Sequence, residues 1–223
     1  MYVRMELVYR TPKGTDTGFS SEDMPAKKAL LIAEDLEKTG RVKTITFIDR
    51  HENTWNLKEL RKQLEEIEAE PHNIMVYFDG GFNLETGKAG LGCAIYYEQN
   101  GKVYRLRKNA AVDELETNNE AEYAALHLGV KELEHLGAHH ITVEFAGDSQ
   151  VVINQLAGEW PCYEEALSNW ADRIENKFAE LGLDATFEVV SRKKNKEADQ
   201  LASQALSGIE IFSKREIKNG EGF

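Results

Sequence analysis

The chain has 223 residues, enough for one large domain or two small ones, with an ordinary hydrophobic share of 41%. A formal net charge of −12 argues against a protein that coats nucleic acid, but not against an enzyme that uses one local basic strip. No apolar run is long enough to cross a bilayer, and the opening MYVRMELVYR lacks a signal-peptide core. Cys93 and Cys162 give neither a disulfide framework nor zinc spacing, so both are expected as buried thiols in a reducing cytoplasm, with no disulfide-linked partner.

Residues 1–70 read strand, helix, strand, helix. YVRMELVYR alternates like a strand, TPKGTDTGFSSED is a Gly/Thr/Ser loop, and MPAKKALLIAEDLEKTG is a helix stopped by Gly40. RVKTITFID is a second strand, and NLKELRKQLEEIEAE a charged helix expected to be a solvated connector. Pro71 and a change of pattern set a boundary near residues 70–73. This small α/β module carries 12 Lys+Arg against 14 Asp+Glu, and nothing in it has a catalytic pattern.

The remainder carries 15 Lys+Arg against 25 Asp+Glu, so the acidity is concentrated there. NIMVYFDGG is a buried-type strand. AGLGCAIYYEQNGKVYRLRKNAA is a hairpin turning at Asn100-Gly101, a strong two-residue hairpin signal. A long helix follows from about Asn118 to Leu136, then the strand HHITVEFAGD, the short helix SQVVINQLAG and the longer helix EEALSNWADRIENKFAELG. The strand DATFEVVS and the helix NKEADQLASQAL close the pattern, and residues 207–223 are expected as a tail.

TNNEAEYAAL, residues 117–126, places Glu120 and Glu122 two positions apart at a helix start, where they cannot share a face. Helical spacing from Glu122 meets Leu126, Gly129, Val130, Leu133 and Leu136, an apolar stripe; from Glu120 it meets Ala124, His127, Lys131 and Glu134, a mostly solvated one. Glu122 is therefore the inward carboxylate, which is costly without compensation. The helix dipole returns about 1 kcal/mol at most. A divalent cation is a stronger reason, and one held by few protein carboxylates needs acids converging from several elements. Asp79 and Asp148 close strands and Asp199 lies in the first turns of the last helix, although Asp148 is equally a helix-capping residue.

Four separated motifs resemble the type 1 ribonuclease H family over residues 73–206: YFDGG, TNNEAEY, GDSQVVINQL and NKEADQLA, in the family's order. The resemblance implies a ribonuclease H-like fold, a mixed five-stranded sheet flanked by helices. It further implies hydrolysis of the RNA strand of RNA/DNA hybrids with two Mg2+ ions, or Mn2+ in their place, held by Asp79, Glu122, Asp148 and Asp199. In this family Asp79 would lie between the ions, Glu122 on the RNA side and Asp199 on the water-activating side. The backbone of Gly80 and Gly81 and the side chains of Asn118 and Glu122 would read 2′-hydroxyls, the groups that separate RNA from DNA. Thr117 or Asn118 also suits a helix cap.

The sequence departs from the family in two places. The loop SRKKNK has no histidine where many members carry a mobile one, and Arg192 is the candidate substitute. GEWPCYEEALSNW stands where a basic helical protrusion is usual; Trp160 and Trp170 could meet the DNA strand, with a core role favoured for Trp170. The basic groups at 102–108 and 191–196 default to solvated charge. These departures and the acidic surface keep a second reading open, a nucleic-acid-binding or regulatory protein with little turnover. The N-terminal module lacks the basic, aromatic signature of the family's hybrid-binding domain, leaving substrate handling, protein interaction, dimer contact and a structural role open.

Overall fold

The computed structural model describes residues 1–218 and divides into two compact units, Met1–Ala69 and Glu70–Phe223. No helix among the described residues is long and apolar enough to cross a membrane.

The first unit contains β1 (Tyr2–Arg10), β2 (Asp16–Ser20), β3 (Met24–Pro25), α1 (Ala26–Lys38), β4 (Val42–Asp49), β5 (Thr54–Trp55) and α2 (Leu57–Ala69). Its antiparallel sheet runs β2-β1-β4-β5, with β3 pairing β1. Alternation along β1 buries Val3, Met5 and Leu7 against Ala29, Ala33, Phe47 and Leu60. The stretch expected as a loop between β1 and α1 contains β2. Gly14, at φ 86°, turns the chain, and Arg10 pairs with Asp16 at 2.7 Å to close the hairpin. All five β2 residues are exposed, so no hydrophobic alternation announced the strand. The connector reading of α2 is corrected too: Leu60 is fully buried in the unit's core.

The second unit contains β6 (His72–Asn83), β7 (Lys88–Gln99), β8 (Lys102–Val112), α3 (Asn118–Leu136), β9 (Thr142–Gly147), α4 (Gln150–Leu156), α5 (Glu165–Leu181), β10 (Asp184–Val189), α6 (Lys196–Leu206) and β11 (Phe212–Ile217). Its sheet order is β10-β9-β6-β7-β8-β11, with β9 parallel to β6 and β10. Asn100 and Gly101, at φ 52° and 69°, both take the left-handed conformation that a two-residue hairpin turn requires.

The sheet is one strand wider than the sequence implied. β11 lies in the expected tail 207–223, whose last five residues fall outside the described ones, and pairs antiparallel with β8. Its one buried residue, Ile217, packs with Ala94, Tyr96 and Leu201, while Lys102 and Glu216 pair across the strands at 2.8 Å. A six-residue strand with a single buried side chain gives almost no periodic signal.

Glycines set how closely the helices approach the sheet. A Cβ on Gly80 would come within 2.1–2.3 Å of the Ala121 carbonyl group and the Glu122 nitrogen, so β6 presses backbone to backbone on α3. One on Gly92 would meet the Ala198 oxygen at 2.4 Å, which lets α6 lie equally close. Gly80 and Gly92 face opposite sides of the sheet, because Gly92 pairs with Asp79 and strand neighbours alternate. The sheet is therefore held between α3 and α6.

The burial of α3 exceeds the expected stripe. Glu122 is inward at 6% exposure, but Ala124 and Glu132 are buried too, since α5 covers the helix on a second side. Cys93 is buried as expected, and its thiol is pushed up by burial. Cys162 is only half-buried, on the segment before α5.

Candidate active site

Three acids from three elements converge. Asp79, Glu122 and Asp148 each offer a carboxylate oxygen, and these oxygens lie within 4.8 Å of one another. Asp79 is not the last residue of its strand: β6 continues to Asn83, leaving the carboxylate beside the backbone contact of Gly80 with α3. Glu122 sits on the inward face of α3, where its Oε2 accepts the Gly80 N–H at 3.2 Å. Asp148 directly follows β9 and does not cap α4. Ser149 does that, its hydroxyl accepting from Val152 N–H, and the Asp148 carboxylate belongs to the cluster instead.

Burial, followed by the charges of Asp148 and Asp199, raises Asp79 to about 7. Burial, followed by Asp79 and Asp148, raises Glu122 to about 9, and the Gly80 N–H and Arg192 offset this only in part. Carboxylates this close cannot all ionise unless a cation joins them. The donors are all oxygen and come from separate elements, the set that a hard divalent cation such as Mg2+ or Mn2+ takes. The residues thus fit the metal that the resemblance implies.

Asp199 is placed differently. It is exposed in the second half of the first α6 turn and lies outside the three-acid group, but its charge reaches Asp79. Arg192 is 90% exposed at its side chain, and its Nε stands 3.3 Å from Asp148 Oδ2. Of Thr117 and Asn118, Thr117 is the helix cap. Thr117 caps α3 in a capping box with Glu120, which accounts for the outward carboxylate of the pair: its Oε2 accepts Thr117 N–H at 3.1 Å and Glu116 N–H at 3.0 Å. Asn118 Oδ1 accepts Phe82 N–H at 3.2 Å, tying the start of α3 to β6 beyond Gly81.

The basic group at 102–108 is largely engaged within the fold. Arg105 pairs with Glu197 at 2.8 Å, Lys102 with Glu216, and Lys108 stands over the Phe212 ring. Trp170 packs against the core beneath Arg173, whereas Trp160 is 45% exposed. Asn195 opens the NKEADQLA motif, but sequence reasoning gave it no role. It reads as a polar residue before a helix, yet it is 1% exposed and bonded to Asp148 at 3.0 Å. Only the folding of the residue before α6 onto Phe78 of β6 and onto Asp148, just after β9, reveals it.

Residues 77–205 match the reverse transcriptase-like family. An uncharacterized protein of Bacillus subtilis, YpeP, is 44% identical over 212 residues, covering 94% of this chain and 93% of that one. Ribonuclease HI of Halobacterium salinarum is 31% identical over 134 residues, 60% of this chain. The chain spans only 35–64% of the length of the curated relatives that match in this segment alone. Among solved structures, LC11-RNase H1 in complex with RNA/DNA hybrid superposes with a TM-score of 0.53 at 28% identity, covering 61% of this chain and 98% of that one. Motifs, sheet order, the acid cluster and these likenesses agree, and the chain belongs to the reverse transcriptase-like family, with a type 1 ribonuclease H segment on the ribonuclease H-like fold.

Proposed function

We propose that residues 73–206 form a metal-dependent endonuclease that hydrolyses the RNA strand of RNA/DNA hybrids. The observation that carries this reading is the convergence of Asp79, Glu122 and Asp148 within 4.8 Å, two of them with raised proton affinity. Mutual repulsion of this kind works against the fold unless a cation is the intended occupant. A pair of divalent ions, when bound, supplies an activated water and stabilises the leaving oxygen of an in-line displacement.

The chain's own residues then divide the work. Asp79 and Asp148 are the direct holders, Glu122 completes the side nearest Gly80, and Asp199 approaches from α6. Asn118 has Oδ1 engaged by Phe82 N–H, so its amide N–H groups remain to donate to a 2′-hydroxyl beside the Gly80–Gly81 backbone. Arg192, exposed beside Asp148, would exchange that carboxylate for a substrate phosphate. The products would carry 5′-phosphate and 3′-hydroxyl ends.

Acidity favours one alternative, a hybrid-binding protein with little turnover. Residues 71–223 carry ten more acidic than basic residues, and much of the basic group at 102–108 is spent on internal pairs. Cleavage of a strand-labelled hybrid in low salt with Mg2+ or Mn2+, comparing wild type with Asp148→Asn, separates the two. RNA-strand cleavage abolished by the substitution supports the nuclease; folded wild type that binds hybrid without cutting it supports the alternative.

A further inference from the structure

Asn195, the residue before α6, is 1% exposed although it carries a primary amide. Its Nδ2 donates to the Phe78 carbonyl at 2.9 Å and to Asp148 Oδ1 at 3.0 Å. Its backbone carbonyl accepts Asp199 N–H at 3.1 Å, and its own N–H donates to the Ser191 carbonyl at 3.1 Å. One residue therefore joins the strand position before Asp79, the Asp148 carboxylate and the helical turn that carries Asp199.

The neighbours fix which way the amide faces. Turned over, its oxygen would meet a carbonyl and a carboxylate, neither of which donates. In the orientation present, Oδ1 is buried without a hydrogen-bond partner among the described residues. A stranded buried acceptor opposes stability, and no side-chain capping bond to α6 compensates for it. Asn195 is thus a poor choice for the fold alone. It is a good one where both amide hydrogens are needed at Phe78 and Asp148.

The geometry points to Asn195 as a positioning residue of the acid site: its amide holds the Asp148 carboxylate where it meets Asp79 and Glu122, and ties the start of α6 to that carboxylate. The assignment rests on the metal-dependent reading above. Groups that orient metal-holding side chains typically change affinity or activity about 10- to 100-fold when removed.

Mn2+ binding to the full chain without substrate, read from the electron paramagnetic resonance of the free ion, tests it with Asn195→Ala, Asn195→Ser and Asp148→Asn. Asn195→Ala is expected to weaken Mn2+ binding about 10- to 100-fold. Its melting temperature in EDTA should fall by only a few degrees, since the loss of two amide hydrogen bonds is partly offset by removal of the stranded oxygen, so binding is compared on folded protein. On hybrid, kcat should fall while KM moves less than about threefold, the pattern of a lost interaction that does not contribute to substrate binding. Asn195→Ser, which keeps one donor, should recover part of the loss. Mn2+ affinity within about twofold of wild type in a folded Asn195→Ala overturns the assignment; if that variant does not fold, the same criterion applies to Asn195→Ser. Unchanged binding beside a wild type that binds and cleaves sinks the positioning role alone. A wild type that binds Mn2+ no better than Asp148→Asn sinks the metal-dependent reading and Asn195 with it.

Discussion

Glu122→Gln should stabilise the metal-free protein at alkaline pH and leave it nearly unchanged at pH 5. The carboxyl is 6% exposed and is raised to about 9, so the folded chain holds a proton that the unfolded chain releases near the ordinary glutamate value. Its contribution to stability is fully present at low pH and is lost as pH rises from about 4.5 through 9. At pH 8.5 the four-unit gap corresponds to about 5 kcal/mol at 1.4 kcal/mol per unit. Water entering the cluster would about halve that. Glutamine is neutral in both states, avoids the penalty, and still offers an oxygen to the Gly80 N–H. At about 2–4 °C per kcal/mol for a unit of this size, the variant should melt roughly 5–10 °C above wild type at pH 8.5 and within about 2 °C of it at pH 5. Calorimetry of the EDTA-treated chain at the two pH values checks this. A variant no more stable than wild type at pH 8.5 would refute the claim that the acids strain the empty cluster.

Three further outcomes follow from packing and capping. Gly80→Ala should cost about 3 kcal/mol or more, since the added methyl has only backbone to push against; urea denaturation measures it, and a cost below about 1 kcal/mol would contradict the backbone contact between β6 and α3. Thr117→Ala should cost about 1 kcal/mol by leaving the α3 terminus uncapped, read in the same experiment, with Glu120→Ala similar because the two form one box. Removing residues 211–223 should raise hydrogen exchange in β8 well above that in β6 and β9, because β8 would lose its outer partner; equal protection with and without the segment would show that β11 adds nothing to the sheet.

What was legible in the sequence was what local pattern determines. Glu122 stood out because a carboxylate interrupted an apolar helical stripe, and Asn100-Gly101 because both residues tolerate a positive φ. β2 and β11 escaped because strands with exposed or charged side chains take their place from pairing, which spacing along the chain does not encode. Asp148 was ambiguous between cap and site for the same reason: the deciding fact is that Ser149 reaches Val152, a matter of one residue's register. Asn195 was invisible as a buried group, since its partners, Phe78 and Asp148, lie 117 and 47 positions away in the chain.

The acids come from β6, α3, the end of β9 and the first turns of α6, which are among the first and the last parts of the second unit to be synthesised. No stretch of chain that ends before α6 contains the complete set. A nascent chain that has not yet reached residue 195 therefore holds neither Asp199 nor the Asn195 amide that reaches Asp148. On this chain order the acids are brought together only by the arrival of α6, so the topology that gathers them also delays the full set until synthesis of the unit is nearly finished.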